Sequence, residues 1–325
     1  MIRAASSHTA PAGYGYLFAA LLVAALLHSA GFDGYWIGDD FGNIHQFQTW
    51  SDQNNLWSGL LQKMTEGNTP AGAFLRPSTQ LVRGISWILV GPEYAGWFAV
   101  SWLLHLANTW LIMTLVLKLA SPSDSRTSAA AALAGLLFAV SPLVSEGVYW
   151  IAAGGDAGVT LLTLVALHAW FGRYTLAVPL LFLAALGFKE SAGVLPLQLA
   201  LLLFVPRDDG YERHRYWAVG LCFLLLAVWF ALRSQLFGDA WSIYRQSEPA
   251  GLLQVLRSLP EWWQGLAGSM PLLASLYALF LSTGVAFGLV CAVKNGRLRL
   301  FGALLLASAG MLTATFLNLG EWLAS

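Results

Sequence analysis

Nine apolar stretches punctuate the chain, at 14–30, 98–119, 128–140, 157–171, 176–188, 191–205, 216–236, 272–293 and 300–317. A helix needs roughly 20 apolar residues to cross the hydrocarbon of a bilayer. The longer stretches meet that length and the shorter ones approach it. An unpaired amide in lipid costs several kcal/mol, so a spanning segment is helical unless it belongs to a closed barrel. A transmembrane β-barrel alternates apolar and polar residues, and these runs do not. The pattern predicts an all-α polytopic membrane protein, with about nine transmembrane helices in one domain over 1–325. Two longer segments, 31–97 and 237–271, separate the stretches. In the first, Phe47, Trp50, Trp57, Leu61 and Met64 recur at helical spacing. Asn43, Gln46, Asp52, Gln53, Asn54 and Gln62 fill the other face, which predicts a helix in the membrane interface starting near Asn43. In the second, Leu252, Val255, Leu256, Leu259, Trp262, Trp263 and Leu266 predict another, kinked or divided at Pro260.

Composition agrees. Of 325 residues, 57% are hydrophobic and 10% charged, against about 25% charged in soluble domains. Lipid must therefore solvate much of the surface. The formal net charge is zero, and no nucleic-acid partner is expected. The distribution of Lys and Arg says more, because cytoplasmic loops collect them. With the N-terminus in the cytoplasm, Arg3, Lys118, Arg126, Arg173, Arg207, Arg213, Arg215, Lys294, Arg297 and Arg299 all fall on that side. Asp39, Asp40, Glu146, Asp156 and Glu190 fall on the other, with both long loops and the C-terminus. The expected location is the inner (plasma) membrane, multi-pass. The alternative for 14–30 is a cleaved signal peptide ending at Ala30, but Arg3 alone is a weak charged leader. Cys222 and Cys291 lie inside apolar runs and are expected to pack, not to bridge or bind zinc.

The leading site candidate is Asp39–Asp40 in GYWIGDDFGN. Adjacent carboxylates repel unless a cation, a substrate hydroxyl or amide donors sit nearby. An ionised Asp near the surface can take a proton from an acceptor hydroxyl. The plainer reading is a solvated turn between Gly38 and Gly42. Four further patches share that side. They are FLRPSTQ with Arg76 and Pro77, SPLVSEGVYWIAAGGDAG with Glu146, Trp150 and Asp156, GFKESAG with Lys189 and Glu190, and the second loop with Arg233, Arg245 and Arg257. Snorkelling at a helix end explains one such residue, but less well a gathering of carboxylates and cations from four segments. Lys189 and Glu190 are neighbours, so they point to different helix faces and each needs another partner. Arg and Lys together suit an anion, such as a lipid-linked phosphate donor. His105, in WLLHLAN, is either functional or a buried histidine bonded to a neighbouring helix.

The order of these motifs resembles the GT-C superfamily of polytopic glycosyltransferases. It is most similar to bacterial relatives of the protein O-mannosyltransferases and tetratricopeptide-repeat O-mannosyltransferases. The acidic pair after the first span matches Asp39–Asp40, and an Arg-Pro in the first outer loop matches Arg76–Pro77. His-x-x-Asn in the second span matches His105 to Asn108. A stretch like HP…E…W…GRxD is matched by Pro142, Glu146, Trp150 and Asp156, and a Lys-Glu followed by Pro by Lys189, Glu190 and Pro196. The likeness covers roughly 14–205, and no motif in it is specific alone. It implies a GT-C-like fold and transfer of a sugar from a polyprenyl-phosphate donor to an unidentified acceptor hydroxyl at the outer face. Asp40 or Asp39 would be the base, or would hold a divalent metal if one is used. Arg76 and Lys189 would stabilise the leaving phosphate. Glu146, Asp156, Glu190 and His105 would orient these groups.

The chain also departs from the pattern. Phe98 stands where the family's first His of that span falls, Ser141 replaces the His before the Pro, and Gly154 replaces the Arg. Two other readings follow. One is a transporter or flippase-like protein for a lipid-linked or anionic solute, and the other is an inactive GT-C-like scaffold in envelope assembly. Against the first, the chain shows no internal repeat, and its charges lie at one face instead of the midplane.

Overall fold

A computed structural model describes residues 12–67, 74–119, 125–172, 174–204 and 212–237. Helices make up 87% of them, and four are long and apolar enough to cross a membrane: Tyr14–Asp33, Tyr94–Leu119, Ile151–Trp170 and Arg213–Phe237. The expected stretches at 272–293 and 300–317 and the second interfacial helix lie outside the described residues. So do Arg245, Arg257 and Cys291, and the basic positions Arg3, Arg173, Arg207, Lys294, Arg297 and Arg299. The chain divides into two compact units, Met1–Leu61 with Ser78–Gly172, and Gln62–Pro77 with Arg173–Ser325.

In the first unit, α1 (Ala12–Leu27) runs into a 3₁₀ turn, Ser29–Asp33. After it come α2 (Asp40–Asp52) and α3 (Leu56–Glu66), whose last residues enter the second unit. Next are α4 (Pro77–Val90), α5 (Tyr94–Leu119), α6 (Ser125–Ala139), α7 (Pro142–Tyr149), a 3₁₀ turn at Ile151–Ala153, and α8 (Gly154–Trp170). Helix α5 is the hub, packing against α1, α6, α7 and α8. Helices in lipid associate through close van der Waals contact, which small residues permit. Accordingly Ala20 of α1 and Ala131 and Ala132 of α6 are buried with Leu17 and Met113, and Gly135 lies under Met113. Phe18, Leu22, Leu26, Leu103 and Leu133 stay exposed on the outside, as a lipid-facing surface requires.

The interfacial helix expected from Asn43 onward is two helices. It begins three residues earlier, at Asp40, and breaks after Asp52, where Asn54 takes a left-handed conformation (φ 57°). Asn is among the few residues that tolerate that conformation. Phe47 is not at an interface. It is fully buried and stacks on Trp87 at 5.9 Å. By contrast, Trp57 and Leu61 of α3 are exposed. Helix α4 was not foreseen. Pro77 occupies its first position, where a missing N–H costs nothing, and Gly91 (φ 57°) follows its end.

Phe98 is fully buried against Phe32, Tyr94 and Tyr149. Its ring covers Gly31 so closely that a Cβ there would collide with it. A Gly31→Ala change should therefore cost about 1–3 kcal/mol through overpacking. Thermal unfolding in nanodiscs should show the loss, and Phe98→Leu added to Gly31→Ala should recover part of it. An unchanged midpoint in Gly31→Ala would refute this packing.

In the second unit, α9 (Val178–Leu186) and α10 (Leu195–Leu203) each follow a 3₁₀ segment, Thr175–Ala177 and Glu190–Val194, and both pack on α11 (Glu212–Phe237). Phe182, Leu186, Leu195, Leu199 and Cys222 are buried in this unit. Cys222 is fully buried, as expected of a packing residue. At about 1.5 Å per residue, α9 and α10 with their 3₁₀ segments fall short of the roughly 30 Å hydrocarbon thickness.

Candidate functional site

Asp39 and Asp40 separate completely. The chain enters α2 through Gly38, whose positive φ (54°) turns the backbone against Trp150. Asp39 stays exposed at the N-cap position and makes no side-chain capping bond. The solvated-turn reading describes this residue. It does not describe Asp40, the first residue of α2, which is 1% exposed. The Ala152 N–H donates to Asp40 Oδ1 at 2.6 Å and the Ile37 N–H to Oδ2 at 3.3 Å. Asp40 thus ties α2 to a turn more than a hundred residues away. Burial lifts its carboxyl above the ordinary value of 3.8. The Ile37 and Ala152 N–H groups, the Arg83 guanidinium and the Ile151 N–H pull it the other way.

Arg83, on α4, completes this arrangement. Its Nη1 donates to Asn43 Oδ1 at 2.9 Å and its Nη2 to the Ala152 carbonyl at 3.0 Å. Asn43 in turn donates from Nδ2 to the Asp39 carbonyl at 2.9 Å. Residue Ala152 is therefore gripped on its N–H by a carboxylate and on its C=O by a guanidinium. Trp36, Trp97, Asn43, Arg83 and the Ile151–Ala152 turn line a small cleft with Asp40, about 10 Å³, close to the space of one water molecule. Trp36 meets Trp97 edge to face at 5.9 Å.

The second unit holds a separate charged cluster. Glu190 accepts from Arg76 Nη2 at 2.8 Å through Oε2, and its Oε1 lies 3.1 Å from Arg233 Nη1. Arg76 also lies over the Phe74 ring, 4.1 Å from its centroid. Arg233 was grouped with the second loop by sequence. It sits inside α11 and is 1% exposed, so it is enclosed by protein and does not snorkel. Lys189 is extended and half-buried immediately before the Glu190 segment.

The remaining candidates are scattered. Glu146 is exposed on α7, and Asp156 is half-buried in the first turn of α8. His105 is buried on α5. Its ring lies 4.8 Å from that of His28 and stacks on Phe138 at 5.3 Å. Its Nε2 has no hydrogen-bond partner among the described residues. The histidine bonded to a neighbouring helix is instead His28, which reaches the Ala139 carbonyl at 2.9 Å and the Tyr149 hydroxyl at 3.0 Å. Asn108 donates to the Ala157 carbonyl at 3.0 Å. Among the described residues no three His, Cys, Asp or Glu side chains converge on a metal position. Asp40 is already engaged by backbone donors and sits in the field of Arg83, so these residues do not fit a divalent ion.

Sequence reasoning missed Arg83, Arg233 as a partner of Glu190, and His28. For Arg83 a signal was present, a lone cation inside the apolar run LVRGISWILV. No family model, characterised protein or solved structure matches the chain.

Proposed function

We propose that the protein is a GT-C-like membrane glycosyltransferase of about nine spans, with the Asp40 cleft on the outer side of the inner membrane. The observation that carries this reading is Asp40. It is a carboxylate held in place by backbone N–H donors, made more basic by burial, and opening onto a cleft. A base needs that combination of fixed geometry and raised affinity for a proton. In the proposed step the acceptor hydroxyl gives its proton to Asp40, and its oxygen bonds to the anomeric carbon. The bond from that carbon to the phosphate oxygen breaks, and polyprenyl phosphate departs with the electron pair. Arg76 and Lys189 are the proposed groups for the leaving phosphate on their chemistry, since a guanidinium fork and an ammonium both suit a group that gains charge in the transition state. Glu190 orients the Arg76 fork.

An inactive scaffold is the second reading. It is favoured by Phe98, whose apolar packing fills the position of a family histidine. An isotopically labelled polyprenyl-phosphate sugar, presented with candidate acceptors in proteoliposomes, separates the readings. The transferase releases free polyprenyl phosphate, a transporter moves label without breaking the bond, and a scaffold does neither. Absence of release with every acceptor class would overturn the proposal. A reporter fused after Asn54 should read as external, and a cytoplasmic signal would reverse the orientation.

A further inference from the structure

We infer that α4 is a lipid-binding helix, seated in one leaflet with Leu81, Ile85, Ile88 and Leu89 against the acyl chains. At a water-facing surface a helix turns its apolar stripe inward and its polar residues outward. Helix α4 does the reverse. Its exposed residues are Leu81, Ile85, Ile88 and Leu89, all aliphatic and between 47% and 74% exposed. Their spacing of four, three and one residues puts them on one stripe. The polar residues Thr79, Gln80 and Ser86 are buried, and Arg83 is half-buried and bonded to Asn43 and Ala152. Protein fills the inner side. Phe47 stacks on Trp87, and Leu60 packs over Gly84. Only the aliphatic stripe is left to cover.

The bilayer is within reach of it. Helix α5, long and apolar enough to cross, begins at Tyr94, after a turn in which Gly91 has a positive φ and Glu93 is exposed. The four Cα steps from Val90 to Tyr94 cover at most about 14 Å. Helix α4 has 14 residues, about 21 Å at 1.5 Å each, and so is too short to span roughly 30 Å of hydrocarbon. It therefore lies in the interface. The stripe continues the chemistry of the bare aliphatic surfaces on α1, α5 and α6. A protein partner is held through polar groups as well as apolar ones, and the stripe has no polar side chain. The segment 31–97 is thus not all aqueous loop, and Arg83 reaches its partners from a helix at the level of the lipid. This inference does not rest on the transferase reading.

Photocrosslinking tests it on the full chain in nanodiscs of phosphatidylethanolamine and phosphatidylglycerol. A benzophenone amino acid replaces Leu81, Ile85, Ile88 or Leu89 in turn, with the exposed Asp52 as reference. Irradiation should add the mass of one lipid at the four positions. Because the apolar face of an interfacial helix lies some 5–10 Å into the headgroup and acyl boundary, the yield should exceed that at Asp52 by about tenfold. The unmodified protein gives a second measurement that needs no variant. In nanodiscs whose lipids carry a diazirine on the acyl chain, label should fall on Leu81, Ile85, Ile88 and Leu89 and not on Thr79, Gln80 or Ser86. The inference is overturned if the four positions of folded protein yield no lipid adduct, or no more than Asp52. Crosslinks to another segment of the chain, or to a second copy, in place of lipid also overturn it. If the variants do not fold, absence of label from 77–90 of the unmodified protein overturns it.

Discussion

Replacing Asp40 with Asn should lower sugar transfer by about 10²-fold or more and leave donor binding largely intact, whereas Asp39→Asn should cost far less. The two carboxylates are adjacent in sequence but differ in every physical respect. Asp39 is solvated, and Asp40 is buried and held from two sides. Asn retains the size of Asp but not its function, since an amide nitrogen takes up no proton at working pH. It also has one acceptor oxygen where Asp40 uses two. If Oδ1 keeps the Ala152 N–H, the amide nitrogen faces the Ile37 N–H and leaves that donor unpaired, a loss of about 1–3 kcal/mol if the donor is buried. The pH dependence separates loss of a base from loss of a clamp. Burial raises the folded-state pKa of Asp40 above its ordinary 3.8. The ionised form is thus disfavoured by folding, and stability linked to this group is greatest in acid and falls as pH rises through the folded value. Compared with Asp40→Asn, the wild type should gain in relative thermal stability as pH is lowered toward 3.8. Its kcat/KM should fall over the same window, because the base becomes protonated. Near-normal turnover in Asp40→Asn would remove the proposed mechanism, and a reversed order of the two variants would move the base to Asp39.

The contrast within that pair shows what was legible in the sequence. The apolar runs marked α1, α5, α8 and α11, because a lipid-facing helix must be apolar along its whole length. They also separated 176–188 from 191–205, where α9 and α10 lie, but did not reveal the 3₁₀ segments that precede each helix, since hydropathy carries no information on helix pitch. The spacing of Phe47, Trp50, Trp57 and Leu61 was helical, yet the same apolar residue serves equally at an interface or in a core. Phe47 went to a core of tryptophans and Trp57 stayed outside. The acidic pair was visible, but which member is buried depended on the Ile151–Ala152 turn, 112 positions away from Asp40. Arg83 was obscured for the same reason, because its partners are Asn43 and Ala152, 40 and 69 positions away. Local sequence also required a partner for Glu190 without identifying it. Arg76 and Arg233 approach Glu190 from opposite directions along the chain, and only the fold brings them to one carboxylate.

That shared carboxylate gives the largest expected effect on stability. Glu190→Gln should destabilise the protein by about 3–5 kcal/mol, the usual result of removing one partner of a buried ion pair. The partial exposure of Arg76 and Glu190, 23% and 12% of their side chains, places the effect toward the lower end. The loss is large because an arginine cannot escape by neutralising itself, as its proton stays on at any pH the protein survives. Arg233 is enclosed in α11 and 1% exposed, so water cannot replace the carboxylate that leaves. Removing the cation should be milder. Arg233→Met keeps much of the apolar stem, deletes the charge that most needs Glu190, and leaves the 2.8 Å bond between Arg76 and Glu190 in place. The double variant Glu190→Gln/Arg233→Met should therefore be more stable than Glu190→Gln alone, a coupling that only directly interacting residues produce. Unfolding midpoints of the four proteins in nanodiscs decide the matter. If Glu190→Gln matched the wild type, or if adding Arg233→Met to it brought no recovery, the ion pair would not be what holds α11 to the Glu190 turn.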